Sequence, residues 1–96
     1  MDKYDELLQF SDPVIVRKKV DQYLGKDVQL YISTRPTKKY MIQRPDDKWI
    51  HFGQMGYSDY TRTLNDTKRR LFRVRNAKWA DAQKWTPAWL SYYLLW

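Results

Sequence analysis

The sequence predicts an α+β fold, with a small three-stranded antiparallel sheet, an N-terminal helix and two or three C-terminal helices. Three observations predict it. Residues 28–52 contain three short segments in which apolar and polar residues alternate. Residues 13–24 carry apolar residues at helical spacing, and residues 65–96 contain a basic helical segment followed by an aromatic one. A chain of 96 residues is long enough for one domain with one core.

The first twelve residues are predicted to be an acidic arm, and residues 13–96 a single basic domain. The arm has four acidic residues against one lysine. Tyr4, Leu7 and Leu8 have helical spacing, but the segment is short and has no evident cap. Charged chain ends usually remain loose, so we expect the arm to be solvated rather than folded over the basic surface.

The N-terminal helix is predicted over residues 13–24. Ser11 or Asp12 can cap it, Pro13 suits its first turn, and Gly25 offers a left-handed stop. Its apolar stripe consists of Val16, Val20, Tyr23 and Leu24.

Three strands are predicted at residues 28–33, 38–44 and 48–52. Turn residues at 45–47 favour a hairpin of the last two strands, which the first strand extends to a meander. The alternation places one apolar set inward: Val28, Leu30, Ile32, Tyr40, Ile42, Ile50 and Phe52. The nearby basic residues either extend a positive surface or protect the sheet edges: Arg35, Lys38, Lys39, Arg44 and Lys48.

A basic helix is predicted from Asn65 or Asp66, either of which can cap it, to about Asn76. In projection Leu71 and Val74 share one side. The side away from them carries an arc of roughly 100° formed by Arg69, Arg70 and Arg73. We therefore expect these arginines to face solvent.

The last segment, PAWLSYYLLW, follows a short helical turn at residues 79–85 and is apolar or aromatic at nearly every position. A helix of this composition cannot lie on the surface with one side exposed. It must be covered by the domain or by a second subunit, so the sequence allows a homodimer through this segment.

The charge of the chain predicts a polyanionic partner. Eighteen lysine and arginine residues against 11 acidic residues give a formal net charge of +7, and nucleic acid is the commonest partner of so basic a domain. A solvated charged face is the alternative, but residues 62–78 contain seven basic residues against one acidic residue, Asp66. The predicted phosphate-binding residues are Arg69, Arg70 and Arg73, helped by Lys68, Arg62, Arg75 and Lys78.

Aromatic residues are interleaved with this basic segment: Tyr57, Tyr60, Phe72 and Trp79. They could stack on unpaired nucleobases. Packing of a small core is the more frequent use of such residues.

His51, Ser58 and Asp59 have the composition of a hydrolytic triad, but no nucleophile-turn motif accompanies them. We expect a structural role, in which His51 and Asp59 hydrogen-bond to hold the loop after the third strand and Asp59 or Ser58 caps a turn. Gly53 and Gly56 are expected at positive φ, and no Gly-Lys-Ser/Thr follows that would form a phosphate loop.

Several classes of protein are disfavoured. The chain has no cysteine and one histidine, so no disulfide, metal or cofactor is expected. It lacks a carboxylate cluster for a metal-dependent nuclease, and we expect no enzyme activity. No signal peptide or membrane span is evident, so secretion and membrane insertion are not expected.

The pattern HFG..GYSDYT, followed by KRR and WLSYYLLW, resembles a small domain family of unknown function found in large double-stranded DNA viruses. The likeness covers residues 38–96. The matching residues are His51, Phe52, Gly53, Gly56, Tyr57, Ser58, Asp59, Tyr60, Thr61, Arg69, Arg70, Arg75, Trp89, Leu94, Leu95 and Trp96. This chain has Phe72 and Asn76 where the family pattern has tyrosine and histidine, which argues against catalysis by a histidine on the helix.

The resemblance implies a viral protein, located in the virion and in the infected cell, either in the cytoplasmic viral factory or in the nucleus. Together with the charge, it predicts a non-enzymatic nucleic-acid-binding protein that holds duplex DNA through phosphate contacts with little sequence specificity. The alternative is a structural or adaptor protein that uses the C-terminal aromatic segment to contact another protein.

Overall fold

Helices enclose a small sheet in the computed structural model, which describes residues 2–96. In chain order the elements are α1 (Lys3–Phe10), α2 (Pro13–Tyr23), β1 (Tyr31–Ile32), β2 (Lys38–Gln43), β3 (Trp49–Gln54), α3 (Tyr60–Thr63), α4 (Asp66–Arg75), a 3-10 helix (Ala77–Asp81), α5 (Pro87–Leu90) and a π-helical turn (Ser91–Leu95). The predicted α+β class is confirmed.

The sheet is an antiparallel meander in the order β1-β2-β3. In the β2–β3 hairpin Tyr40 lies opposite Phe52, and Ile42 lies opposite Ile50. Tyr40, Ile42 and Phe52 are buried, and Ile50 packs against the same core. The hairpin and its inward face are therefore as the alternation predicts.

The first strand is shorter than its alternation suggests. Only Tyr31–Ile32 pairs with β2, although Val28 and Leu30 also pack against the core. Alternation reports which side of the chain is buried, and burial does not require ladder hydrogen bonds. The sequence pattern thus identifies the buried side correctly and overestimates the strand length.

Helix α2 follows its local signals closely. The Asp12 side chain accepts a hydrogen bond from the amide of Val14 at 3.0 Å, and Pro13 occupies the first turn. Val16 and Val20 are fully buried. The helix is predicted and observed over nearly the same residues.

The first residues differ from the solvated arm that their charge predicts. They form α1, in which Asp2 caps the first turn and Leu7 is fully buried in the core. The Lys3 ammonium donates to the main-chain oxygens of Ser33 and Arg35. One buried leucine, a cap and these hydrogen bonds attach the segment to the domain despite its acidic composition.

The aromatic C-terminal segment is covered by the chain itself. Leu90, Leu94 and Leu95 are buried in the same core as the sheet and α2. Thr86 caps α5 by accepting a hydrogen bond from the amide of Trp89. The segment therefore needs no second subunit to bury its apolar residues.

A chain of buried polar groups links the sheet to the helices. The Tyr40 hydroxyl lies 2.6 Å from the Ser11 hydroxyl, which lies 3.2 Å from the Thr61 hydroxyl. Thr61 donates to the Asp59 carboxylate, which also pairs with Lys39. Every member of the chain has a partner, as buried polar groups require.

The buried tyrosine predicts a loss of stability in alkali. Burial raises the pKa of Tyr40 above its ordinary value of 10.0. Because only the unfolded chain then releases this proton, the stabilisation is complete below pH 10 and is lost as the pH rises further, by up to ~1.4 kcal/mol per pH unit. We expect Tyr40→Phe to flatten this loss in urea unfolding measured between neutral and alkaline pH. An equal alkaline slope in both proteins would contradict the assignment.

Candidate nucleic-acid interface

Helix α4 carries most of the predicted phosphate-binding residues and has the predicted ends. The Asn65 side chain caps it by accepting a hydrogen bond from the amide of Lys68 at 3.0 Å. At the other end the Asn76 amide donates to the main-chain oxygen of Phe72. Capping signals are local, which is why the sequence predicts both ends.

The orientation of α4 is opposite to the one expected. Leu71 and Val74 face solvent, with 58% and 70% of their surface exposed. Arg69, Phe72 and Arg73 are only partly exposed and turn toward the domain. The expectation that the arginine arc faces solvent is therefore wrong for two of its three members.

The main-chain oxygen of Trp96 explains this orientation. It accepts a hydrogen bond from Arg69 Nε at 2.7 Å and another from Arg73 Nη2 at 3.0 Å. The Phe72 ring stacks on the Trp96 ring with centroids 4.3 Å apart and planes 6° apart. Charge-assisted hydrogen bonds and ring stacking on this side thus outweigh the gain from burying Leu71 and Val74.

The three arginines of the arc nevertheless line one shallow groove of about 520 Å³. The Arg69 guanidinium lies 4.6 Å from the centroid of the Tyr60 ring, and that of Arg73 lies 5.4 Å from the Tyr92 ring. Arg70 is exposed. The rings hold Arg69 and Arg73 in place, while Arg70 is free to reach a ligand.

The other predicted cations, which lie on and around α4, are exposed. The Arg62 Nε donates to the main-chain oxygen of Leu8 at 3.1 Å. The side chains of the others make no hydrogen bond or ion pair within residues 2–96: Lys68, Arg70, Arg75 and Lys78. We call these four residues the free cations.

Sequence reasoning missed one cation of this region, Lys19 of α2. Its ammonium is buried without a hydrogen-bond partner among the described residues and lies 5.7 Å from the centroid of the Tyr60 ring. Burial lowers the pKa of Lys19, and the charges of Arg69 and Arg73 lower it further. No local signal relates residues so far apart in the chain, so only the fold places Lys19 beside α4.

His51, Ser58 and Asp59 do not form a triad, and the predicted His51–Asp59 hydrogen bond is absent. The Nδ1 atom of His51 lies 2.6 Å from the Ser33 hydroxyl. Burial, followed by the charges of Arg35 and Lys3, lowers the pKa of His51. The histidine therefore joins β3 to the segment after β1, not to the following loop.

Asp59 has a structural role with other partners. It caps α3 by accepting hydrogen bonds from the amide and hydroxyl of Thr61. It also lies 3.1 Å from the Nζ atom of Lys39, which donates to the main-chain oxygen of Tyr57 as well. Lys39 is thus buried, with 2% of its surface exposed, and it neither extends a positive surface nor protects a sheet edge.

Gly53 and Gly56 have the expected positive φ angles, +81° and +97°. Gly53 lies near the end of β3 in a crowded place, since a Cβ atom there would lie 2.9 Å from Leu95 Cδ1. Gly56 has open space around it. Both glycines thus allow a backbone conformation that other residues rarely adopt. Gly53 also allows the C-terminal segment to approach the sheet.

The central part of the chain matches a known protein family. Residues 28–76 match the model of a family described as a family of unknown function, DUF5754. The chain belongs to DUF5754. The matched residues include the sheet, the loop at residues 55–59, α3 and α4. No curated protein and no solved structure matches the chain.

The DUF5754 segment thus contains His51, Gly53, Gly56, Asp59 and every predicted phosphate-binding residue except Lys78. Trp96, which orients α4, lies outside it. Within residues 2–96 no helix has the length and apolar character that a bilayer span requires. The same residues hold no group of three or more metal-ligating side chains.

Proposed function

We propose that this DUF5754 protein is a non-enzymatic nucleic-acid-binding protein that holds duplex DNA through its phosphates, with little sequence specificity. The observation that carries the proposal is the set of free cations on and beside α4. Ion pairs elsewhere in residues 2–96 join Arg17 to Asp21, Lys39 to Asp59 and Arg44 to Asp46. Cations without protein partners are available to displace counterions from a phosphate backbone.

In this proposal Lys68, Arg70 and Lys78 contact phosphate oxygens directly. Arg69 and Arg73 are positioning residues that hold α4 against Trp96, and with Lys19 they add to the positive potential. Contacts of this kind orient a protein on the duplex and do not read bases. Weak sequence specificity follows.

The resemblance of residues 38–96 to a domain of large DNA viruses supports a viral role. A protein that binds DNA without sequence preference suits genome packaging or another task at the viral DNA. The proposal accordingly places the protein in the virion and in the infected cell.

The alternative of an adaptor that binds another protein through its C-terminal aromatic segment has less support. Leu90, Leu94 and Leu95 of that segment are buried in the chain's own core. A homodimer through the segment has less support for the same reason, because its three leucines are already covered by the domain.

Matched charge reversals test the proposal. The test variant is Lys68→Glu/Arg70→Glu/Lys78→Glu, and the control is Lys18→Glu/Lys26→Glu/Lys48→Glu, which changes the net charge equally at exposed lysines outside this surface. Fluorescence anisotropy with a short labelled duplex measures both at two salt concentrations. We expect the test variant to lose about tenfold or more in affinity relative to the control, and its salt slope to fall by about 1 per lost phosphate contact.

Two outcomes would contradict the proposal. Equal losses in both variants would show attraction by net charge alone, without a dedicated surface. Failure of the unaltered protein to bind duplex at moderate salt would favour the adaptor.

A further inference from the structure

A second, larger cavity lies on the other side of α4. It is a cleft of about 800 Å³ between the end of the β2–β3 hairpin, α4 with the following 3-10 helix, and α5. Ligand sites in proteins usually have volumes of about 300–1,000 Å³. The cleft is thus large enough for a flat heterocycle with its attached sugar.

Aromatic rings form much of the wall of this cleft. Phe72 and Trp96 stack in parallel, and Trp79 meets Phe72 edge-on with centroids 5.8 Å apart. All three rings line the cleft, and each is held by a neighbouring ring. A preformed wall of flat rings favours another flat ring, because little side-chain entropy is lost on stacking.

The cleft is basic as well as aromatic. Lys38 and Arg75 line it, and neither side chain has a hydrogen bond or ion pair among the described residues. Lys39 also lines it but is occupied by Asp59 and the Tyr57 carbonyl. No aspartate or glutamate lines the cleft, so its charge complements an anionic aromatic ligand.

Tyr57 provides a further ring at the cleft, and 70% of its surface is exposed. Tyr57 is neither in the buried core nor among the apolar residues packed against it. Beside two unpaired cations it is well placed to cover a bound ring.

We propose that this cleft binds an unpaired nucleobase of a single-stranded nucleic acid, which stacks on the aromatic wall while the flanking phosphates contact Lys38 and Arg75. Aromatic platforms next to cations are how proteins hold single strands without reading sequence. This inference rests on the proposed nucleic-acid binding and deepens it. It assigns a role to aromatic residues that phosphate contacts with a duplex do not use, and it predicts that the protein also binds an unpaired strand or a frayed end.

Stacking is tested by comparing two labelled single strands of equal length, oligothymidylate and an abasic oligodeoxynucleotide, which has the same phosphates without bases. We expect oligothymidylate to bind about tenfold more tightly. Tyr57→Ala and Trp79→Ala should each reduce this preference several-fold. Trp49→Ala is the control, since Trp49 is also exposed but does not line the cleft, and it should leave the preference unchanged.

The outcomes distinguish a failure of the cleft proposal from a failure of the proposed function. Equal binding of the two strands, with duplex binding intact, overturns the cleft inference and leaves the proposed function standing. Preserved preference in Tyr57→Ala, which removes an exposed ring and does not disturb the core, also overturns it. Failure of both strands and of duplex to bind overturns both proposals.

Discussion

We expect Asp59→Ala to lower the free energy of unfolding by about 3–5 kcal/mol. Asp59 is 1% exposed, and its carboxylate lies 3.1 Å from the buried ammonium of Lys39. It also accepts hydrogen bonds from the amide and hydroxyl of Thr61. Alanine removes these acceptors together and leaves Lys39 with the Tyr57 carbonyl as its remaining partner. Urea unfolding followed by tryptophan fluorescence measures the loss.

A surface ion pair serves as the control for this loss. Asp46 pairs with Arg44 at the exposed hairpin turn, so Asp46→Ala should change the unfolding midpoint little. The double variant Asp59→Ala/Lys39→Met should regain part of the lost stability, because it no longer buries an uncompensated charge. Similar losses for Asp46→Ala and Asp59→Ala would refute the importance of the buried pair.

The loss of unfolding free energy in Asp59→Ala should also depend on pH. Burial lowers the pKa of Lys39 from its ordinary value of 10.5, and Asp59 opposes that shift. Without Asp59 the pKa of Lys39 falls further, so between that lowered pKa and pH 10.5 the unfolded chain binds more protons than the folded one. The stability of the variant therefore rises as the pH increases toward 10.5, and its difference from the stability of the unaltered protein shrinks.

Gly53→Ala should be the second strongly destabilising change, at about 2–5 kcal/mol. Its φ of +81° strains any residue with a side chain. The new methyl group would also lie 2.9 Å from Leu95 Cδ1 and 3.2 Å from Lys39 Cβ. Neither neighbour moves easily, because Leu95 is buried and Lys39 is tied to Asp59. Thermal or urea unfolding measures the effect.

Gly56→Ala separates backbone strain from crowding. Gly56 has a φ of +97°, but a methyl group added there would have no neighbouring atom within 4 Å. The substitution should therefore cost only the backbone term of about 1–2 kcal/mol. If both glycine variants lose the same stability, the close approach of Leu95 to the sheet is not a constraint.

The elements that the sequence predicts well depend on neighbours in the chain. The caps of α2 and α4, Asp12 and Asn65, bond to amides two and three residues away. The β2–β3 hairpin follows from alternation and from turn residues between its strands. These signals involve short-range geometry that tertiary contacts only reinforce.

The wrong predictions concern which side of α4 is buried and whether the first residues pack against the domain. On α4 the apolar side consists of Leu71 and Val74 alone, and the partners available to the opposite side favour the other orientation. One main-chain oxygen and one ring of Trp96 decide the orientation instead. On α1 the buried Leu7, the Asp2 cap and the hydrogen bonds of Lys3 together outweigh an acidic composition.

The amino-acid sequence alone determined the fold class, the ends of α2 and α4, the face of the hairpin and the excess of positive charge. The tertiary structure alone decided which cations are free, since it turned Arg69 and Arg73 inward and left Arg70 and Lys68 exposed. It also brought Trp96 beside Phe72 to form the cleft. Periodicity and capping act over a few residues, whereas partners for a guanidinium or a ring come from distant parts of the chain, where one-dimensional spacing carries no information.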